Sequence, residues 1–302
     1  MPDVDFQPDF EVAPGRLAVL GDTRPPDYLE FFLENSRRVP RQVFEAVARD
    51  RPVALIHCGD IAVYGAADRF WQGWSGFDRD IRLISDAGIP VYPAIGNHEY
   101  RGFARESLKH YFARFPHLGG RRWYTLRCGG LLFVFLDSNF GKLGAARAEA
   151  QERWLRETLD AAAVDPASGL VLPVVHHPPF TNISPRYLVF ESAEVQRRWV
   201  PLFTAHPKVA AVFSGHVHAY ERFLIDGVQF IVTGGAGSPR FRLRAAARRR
   251  RADLFAHEDG KLRPFHYLRM EERPGAATPT ASVEAVVLEG ETWSVGEVFE
   301  LT

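Results

Sequence analysis

The sequence predicts an α/β fold, and three observations carry that prediction. Short apolar runs rich in Val, Ile, Leu and Phe recur along the chain without polar alternation, as strands covered on both faces do. Helical patterns lie between many of them, which is the signature of an α/β fold. The runs end in polar groups preceded by glycine, and in open α/β sheets ligands bind outside the carboxyl ends of the strands.

Taken in order, the predicted strands are 16–22, 52–60, 89–99, 131–138, 170–177, 209–216 and 228–235. Helices are expected over 148–163, 192–206 and 68–88; the first sets Trp154, Leu155 and Leu159 in one stripe against charged neighbours. The tail, 281–301, reads as a β-hairpin turning at Glu289–Gly290–Glu291. No internal repeat interrupts the pattern, and no linker is long enough to mark a second domain. The expectation is one domain over 1–302, with a core of about 16–240 and a C-terminal β extension of about 265–302.

Composition narrows the function classes. Apolar residues make up 46% and charged residues 25% of the 302, ordinary values for a globular chain with a full core. Thirty-seven basic residues balance 37 acidic ones, which argues against a protein built to coat nucleic acid or an anionic membrane. The only cysteines, Cys58 and Cys128, lack CxxC spacing and read as buried free thiols. The N-terminus has neither a basic start nor an apolar h-region, so no signal peptide is visible. No apolar run approaches the roughly 18–20 residues of a membrane helix. A cytoplasmic location is expected, with export as the alternative for a chain whose signal has been removed. "RLRAAARRRR", residues 242–251, is the one biased segment and reads first as a solvated face, second as an anion-binding one.

The chemistry concentrates at strand ends. They carry Gly21–Asp22, Gly59–Asp60, Gly96–Asn97–His98–Glu99, His176–His177, and Gly215–His216–Val217–His218. Each alone is weak, since Gly–Asp after a strand is commonly a turn or cap. Together, Asp, Asn and His make an N/O ligand set suited to Zn, Fe or Mn, with enough members for two ions sharing a carboxylate. The spacing does not match HxHxDH or HExxH, and the HxH lies too late for an amidohydrolase barrel.

In this order the motifs resemble the calcineurin-like metallophosphoesterases, and "GNHEY" and "GHVHAYER" are most similar to the purple acid phosphatase branch. The resemblance covers about 16–240 and implies an αββα sandwich of two mixed sheets flanked by helices. It implies that Asp22 and His218 bind one metal ion, that Asn97, His176 and His216 bind a second, and that Asp60 bridges them. His98 would protonate the leaving group or steady the phosphate, and Glu99 would orient it. His177 and Tyr220 stand as outer candidates, Tyr220 chiefly for packing. The branch's tyrosine position, three residues after the bridging aspartate, is Val63 here; Tyr64 follows and is the candidate ligand, unless that ion is one protein ligand short. Many relatives place a histidine where this chain has Arg24. A guanidinium has no lone pair for a cation, so Arg24 is expected either to grip a phosphoryl oxygen or to pair with Asp27.

The implied function is hydrolysis of small phosphate monoesters. Two Fe, Mn or Zn ions would clamp the phosphoryl oxygens and acidify bound water. A phosphodiesterase on the same site is the alternative, and a silent metal-binding scaffold a third reading. Residues 178–192 and 237–265 are expected to form the rim.

Overall fold

The computed structural model describes residues 6–27, 30, 34, 36–67, 73–183, 190–256, 258, 261–273 and 279–302. Two mixed β-sheets lie face to face. One has seven strands, β1 (Phe10–Val12), β5 (Tyr124–Cys128), β6 (Leu131–Phe135), β7 (Leu170–Val175), β8 (Ala211–Ser214), β10 (Val228–Thr233) and β9 (Tyr220–Ile225), in that spatial order. The other has six, β13 (Thr292–Leu301), β12 (Ala281–Glu289), β11 (Phe265–Glu272), β2 (Leu17–Leu20), β3 (Ala54–His57) and β4 (Val91–Pro93). The helices are α1 (Val39–Asp50), α2 (Ser75–Asp80), α3 (Arg82–Ser85), α4 (Ala104–Arg114), α5 (Phe140–Leu143), α6 (Ala145–Val164), α7 (Phe190–Arg198) and α8 (Val200–Ala205).

Side-chain alternation makes the layers. In β6, Leu131, Phe133 and Phe135 join the cluster between the sheets, while Leu132 and Val134 join a second cluster under α6, α7 and α8. Leu155 and Leu159 of α6 are buried there, with Trp154 packed against its edge, as the stripe predicts. On the other side Val43, Phe44 and Val47 of α1 cover the smaller sheet. This is the expected sandwich, and each buried large aliphatic or Phe adds roughly 1.5–3 kcal/mol.

Several boundaries move. The expected helix 192–206 is two helices broken at Trp199, where Pro201 opens the second. The helix expected over 68–88 appears as α2 and α3, and its first five residues lie outside the described set. Strands β1, β5 and β9 and helices α1 and α4 were not expected, and β11, at the start of the expected C-terminal β extension, was not resolved as a strand of its own. The basic run 242–251 is loop, with one 3₁₀ turn at Ala246–Arg248. Pro173 sits inside β7, where proline is unusual. The register to β8 shifts there, from Val171↔Val209 to Val174↔Phe213, so no ladder donor is required at that point.

The parallel strands β2, β3, β4, β6, β7 and β8 bring their carboxyl ends to one edge. The C-terminal strands belong to the same sheet, because β11 pairs directly with β2. His266 of β11 reaches across to Thr233 of β10 at 3.1 Å. Deleting 265–302 is therefore expected to bare the β2 ladder and abolish cooperative unfolding, measured by circular dichroism. A soluble fragment that melts cooperatively would instead show that 1–264 folds without the C-terminal strands.

Candidate metal centre

Hydrogen bonds beyond the strands hold the ligand loops against one another. The Asp22 amide donates to the Gly59 carbonyl at 2.9 Å, Arg24 to Asp60 at 3.2 Å, and Gly215 to His176 at 3.0 Å. The motif glycines give room for this approach. A Cβ on Gly96 would lie 2.3 Å from Asp60 Oδ1, and one on Gly215 would lie 2.5 Å from Asp22 Oδ2. Asp22, Asp60 and His216 themselves adopt φ of 61°, 59° and 65°, the left-handed region that Asp and His enter more readily than most residues.

Two groups of donors result. In one, ligand atoms of Asp22, Asp60 and His218 lie within 4.8 Å of one another; in the other, those of His176, His177 and His216 do. Asn97 Oδ1 stands between the second pair, 3.0 Å from His176 Nε2 and 2.9 Å from His216 Nδ1. Asp60 belongs to the first group and reaches the second, its Oδ1 3.2 Å from His176 Nε2. Five of these residues are buried, whereas Asn97 and His216 are partly open and form the mouth.

Backbone carbonyls choose the tautomers. His176 Nδ1 donates to the Cys58 carbonyl at 2.8 Å and His218 Nδ1 to that of Pro239 at 2.7 Å, so each turns Nε2 inward. His218 also stacks on Phe241, with ring centroids 4.2 Å apart. Asp22 Oδ2 accepts the His216 amide at 2.8 Å. Its Oδ1 is buried without a hydrogen-bond partner, with His218 Nε2 3.5 Å away. A buried carboxylate oxygen left so is costly unless a cation neutralises it. Burial raises the Asp22 pKa. Burial works against His176, yet Asp60 pushes it up to about 9. His216 falls to about 3 through burial and the neighbouring His176. The inward Nε2 atoms, that of His176 once a metal displaces its proton, and the orphaned oxygen fit metal ions, and the mixed N/O set suits Zn, Fe or Mn.

The remaining predicted residues fall in other places. His98 Nδ1 donates to the Val63 carbonyl at 2.8 Å, and its Nε2 stands 3.7 Å from Asp60 Oδ2. Burial, then Arg24, holds its pKa well below the usual imidazole value. Glu99 does not orient His98. Its carboxylate accepts the amides of Asp60 and Gly96 on one oxygen and of Ile61 and Ala62 on the other, at 2.7–3.0 Å. It staples the Asp60 loop to the Asn97 loop.

Arg24 does not pair with Asp27. Its fork is taken by Glu30, at 2.7 and 2.9 Å, while the Asp27 carboxylate accepts from Arg101. Arg24 is 3% exposed, and its Nε lies 3.9 Å from Asp60 Oδ2. It is a fixed charge behind the bridge position. Tyr64 points to the rim, 37% exposed, with its hydroxyl against Gly102. The bonds from Gly65 to His98 and from Ala66 to Arg101 set that direction. Tyr220 donates to Glu297 at 2.9 Å and packs on Phe255 and His266, so its part is packing.

Some members were missed. His57 lies buried beneath the site, accepting the Gly59 amide at 3.1 Å and meeting Thr23 Oγ1 at 3.0 Å. Ser138 Oγ is 2.8 Å from His177 Nδ1. Asp137 binds Tyr100 and Asn139. The signal for these was the polar "DSN" closing the apolar run at 131–136. Glu221, fully buried, accepts from Thr181 and Asn182 and anchors the loop after His177. Of the expected rim at 178–192, residues 184–189 lie outside the described set.

A two-sheet sandwich with metal donors on the strand ends is the metallophosphoesterase arrangement. The calcineurin-like phosphoesterase family model matches residues 15–220, and the chain belongs to that family. It is 27% identical over 215 residues to a phosphoenolpyruvate phosphatase of Allium cepa, covering 65% of this chain and 41% of that one. It is 29% identical over 185 residues to purple acid phosphatase 23 of Arabidopsis thaliana, covering 56% and 38%. The serine/threonine-protein phosphatase CPPED1 of Danio rerio is 25% identical over 207 residues, 66% of this chain and 65% of that one. The chain thus spans about two-fifths of the length of the two plant relatives. Among solved structures, GAP50, the anchor in the inner membrane complex of Plasmodium, shares the fold with a TM-score of 0.61 at 15% identity, over 95% of this chain and 88% of that one. Among the described residues no helix is long and apolar enough to cross a membrane.

The Glu99 staple gives a direct test. Glu99→Gln replaces one acceptor oxygen by an NH₂ group that faces two backbone donors. The expected loss is about 2–4 kcal/mol of stability, read from urea denaturation. An unchanged midpoint would move the clamp elsewhere.

Proposed function

We propose that the chain is a phosphoric monoester hydrolase that works with two transition-metal ions, Fe, Mn or Zn. One observation carries the reading: a single carboxylate, Asp60, joins the Asp22–His218 donors to the His176–His216–Asn97 donors. In this reading Asp22 and His218 hold one ion, Asn97, His176 and His216 the other, and Asp60 both. The phosphatase names of the relatives support the same class.

When bound, the ions would supply polarisation of the phosphoryl group and a water acidic enough to attack near neutral pH. The chain does the rest. The carbonyls of Cys58 and Pro239 keep Nε2 of His176 and His218 turned inward. Arg24, locked by Glu30, balances the Asp60 charge as a positioning residue. Phosphate enters at the open side, past Asn97 and His216. His98 Nε2, on the same face as Asp60 Oδ2, would serve the leaving oxygen or a phosphoryl oxygen once the bound phosphate's charge raises its depressed pKa and it takes up a proton. The water oxygen bonds phosphorus, the ester P–O bond breaks, and the alcohol leaves protonated.

Elemental analysis after loading with Mn, Fe or Zn is expected to find two ions per chain, and Asp60→Ala is expected to lose an ion and at least about 99% of activity while keeping its circular dichroism. One ion with full activity would overturn the dinuclear reading. Aryl and alkyl monoesters and a diaryl diester belong in one screen, since faster diester turnover would make the enzyme a phosphodiesterase. No turnover with both ions bound would leave the scaffold reading.

His98→Ala separates its two roles. If His98 assists the leaving oxygen, alkyl esters lose about 10²–10⁴-fold and activated aryl esters far less. Equal losses on both would assign it to holding phosphate.

A further inference from the structure

A cleft of about 910 Å³ opens beside the metal centre, between α4, the loop before β5 and the α5–α6 junction. Five cationic side chains line it: Arg105, Lys109, Arg122, Lys142 and Arg147. Elsewhere arginines are tied to carboxylates, as in Arg24–Glu30, Arg127–Asp165, Arg222–Glu297 and Arg263–Asp253. Among the described residues Arg105, Lys142 and Arg147 make no ion pair. Arg122 lies over the Tyr100 ring, 5.9 Å from its centroid. The one acid in the lining, Glu106, is flanked by Lys109 at 3.3 Å and His110 at 3.6 Å.

Like charges gathered around a hollow repel one another, and their common field attracts an anion of matching charge. The wall behind them is apolar: Tyr100 and Leu108 are buried, and Phe112 is partly so. The volume falls in the range of small-molecule sites. A layer of side chains separates the cleft from the metal donors. Tyr100 binds Asp137, and the next residue, Ser138, meets His177.

We propose that this cleft is a separate binding site for a small organic polyanion, a molecule with at least two phosphate groups on an apolar or aromatic body. The cations take the phosphates, and the Tyr100–Leu108–Phe112 wall takes the body. The site does not depend on the hydrolytic reading, because it uses none of the metal donors.

Calorimetry on the full chain, stripped of metal by a chelator so that the strand-end donors hold no phosphate through an ion, tests this with ADP as the probe. One equivalent is expected to bind, several-fold more weakly at about 200 mM salt than at about 50 mM. The triple variant Arg105→Gln/Lys142→Gln/Arg147→Gln is expected to bind about tenfold or more weakly. These positions are exposed and unpaired, so the fold is expected to survive, with circular dichroism as the check and Lys142→Gln alone as the milder version. A control with the same charge change elsewhere, Arg82→Gln/Arg248→Gln/Arg250→Gln, is expected to keep the original affinity. No binding at millimolar ADP, equal affinity in the triple variant, or an equal loss in the control overturns the proposal. Adenosine binding as tightly as ADP overturns it too, because charge would then play no part.

Discussion

The structure depends on holding lone pairs against one another out of water. Asp22 and Asp60 are buried carboxylates facing imidazole nitrogens and an amide oxygen. In isolation each burial would be strongly unfavourable, and the groups would separate if the chain allowed it. The fold prevents that from both sides. One sheet delivers Asp22, Asp60 and Asn97 from β2, β3 and β4; the other delivers His176, His216 and His218 from β7 and β8. Neither sheet alone contains the site, so the packing between them fixes its dimensions.

Fixing those dimensions takes most of the polar interior. Glu99 spends both carboxylate oxygens on backbone amides of two ligand loops. Arg24 is itself immobilised by Glu30. Ser238 closes the far side, its amide on the Asp22 carbonyl and its hydroxyl on that of Arg24. Such buried networks hold their geometry only when every member is satisfied, and Asp22 Oδ1 is the atom within the ligand set that lacks a partner.

Much of this was legible because strand and ligand share one signal, an apolar run ending in a polar residue. Asp22, Asp60, Asn97, His176, His216 and His218 could be placed at one edge on that signal, and all six meet there. What could not be read depends on neighbours distant in sequence or on loop direction. For Arg24 the carboxylate in view was Asp27, but its bidentate partner is Glu30, six positions on. Glu99 looked like a partner of its neighbour His98, but its oxygens turn toward Asp60, 39 positions away. Tyr64 was one residue from a ligand position, and the loop bonds of Gly65 and Ala66 turned it outward. Strand β11, "FHYLRMEE", mixes charge with aromatics because its far end runs toward solvent, so it lacked the continuous apolar character of the central strands.

The left-handed backbone at Asp22, Asp60 and His216 has a thermodynamic meaning of its own. Each residue is held in a conformational well it would leave if released, at about 1–2 kcal/mol apiece, and together these terms are comparable with much of the net stability of an ordinary domain. A ligand that binds only this arrangement returns free energy to the folded state by mass action. Occupancy of the site and resistance to unfolding are then two readings of one equilibrium, and the melting temperature becomes a gauge of how fully the centre is loaded.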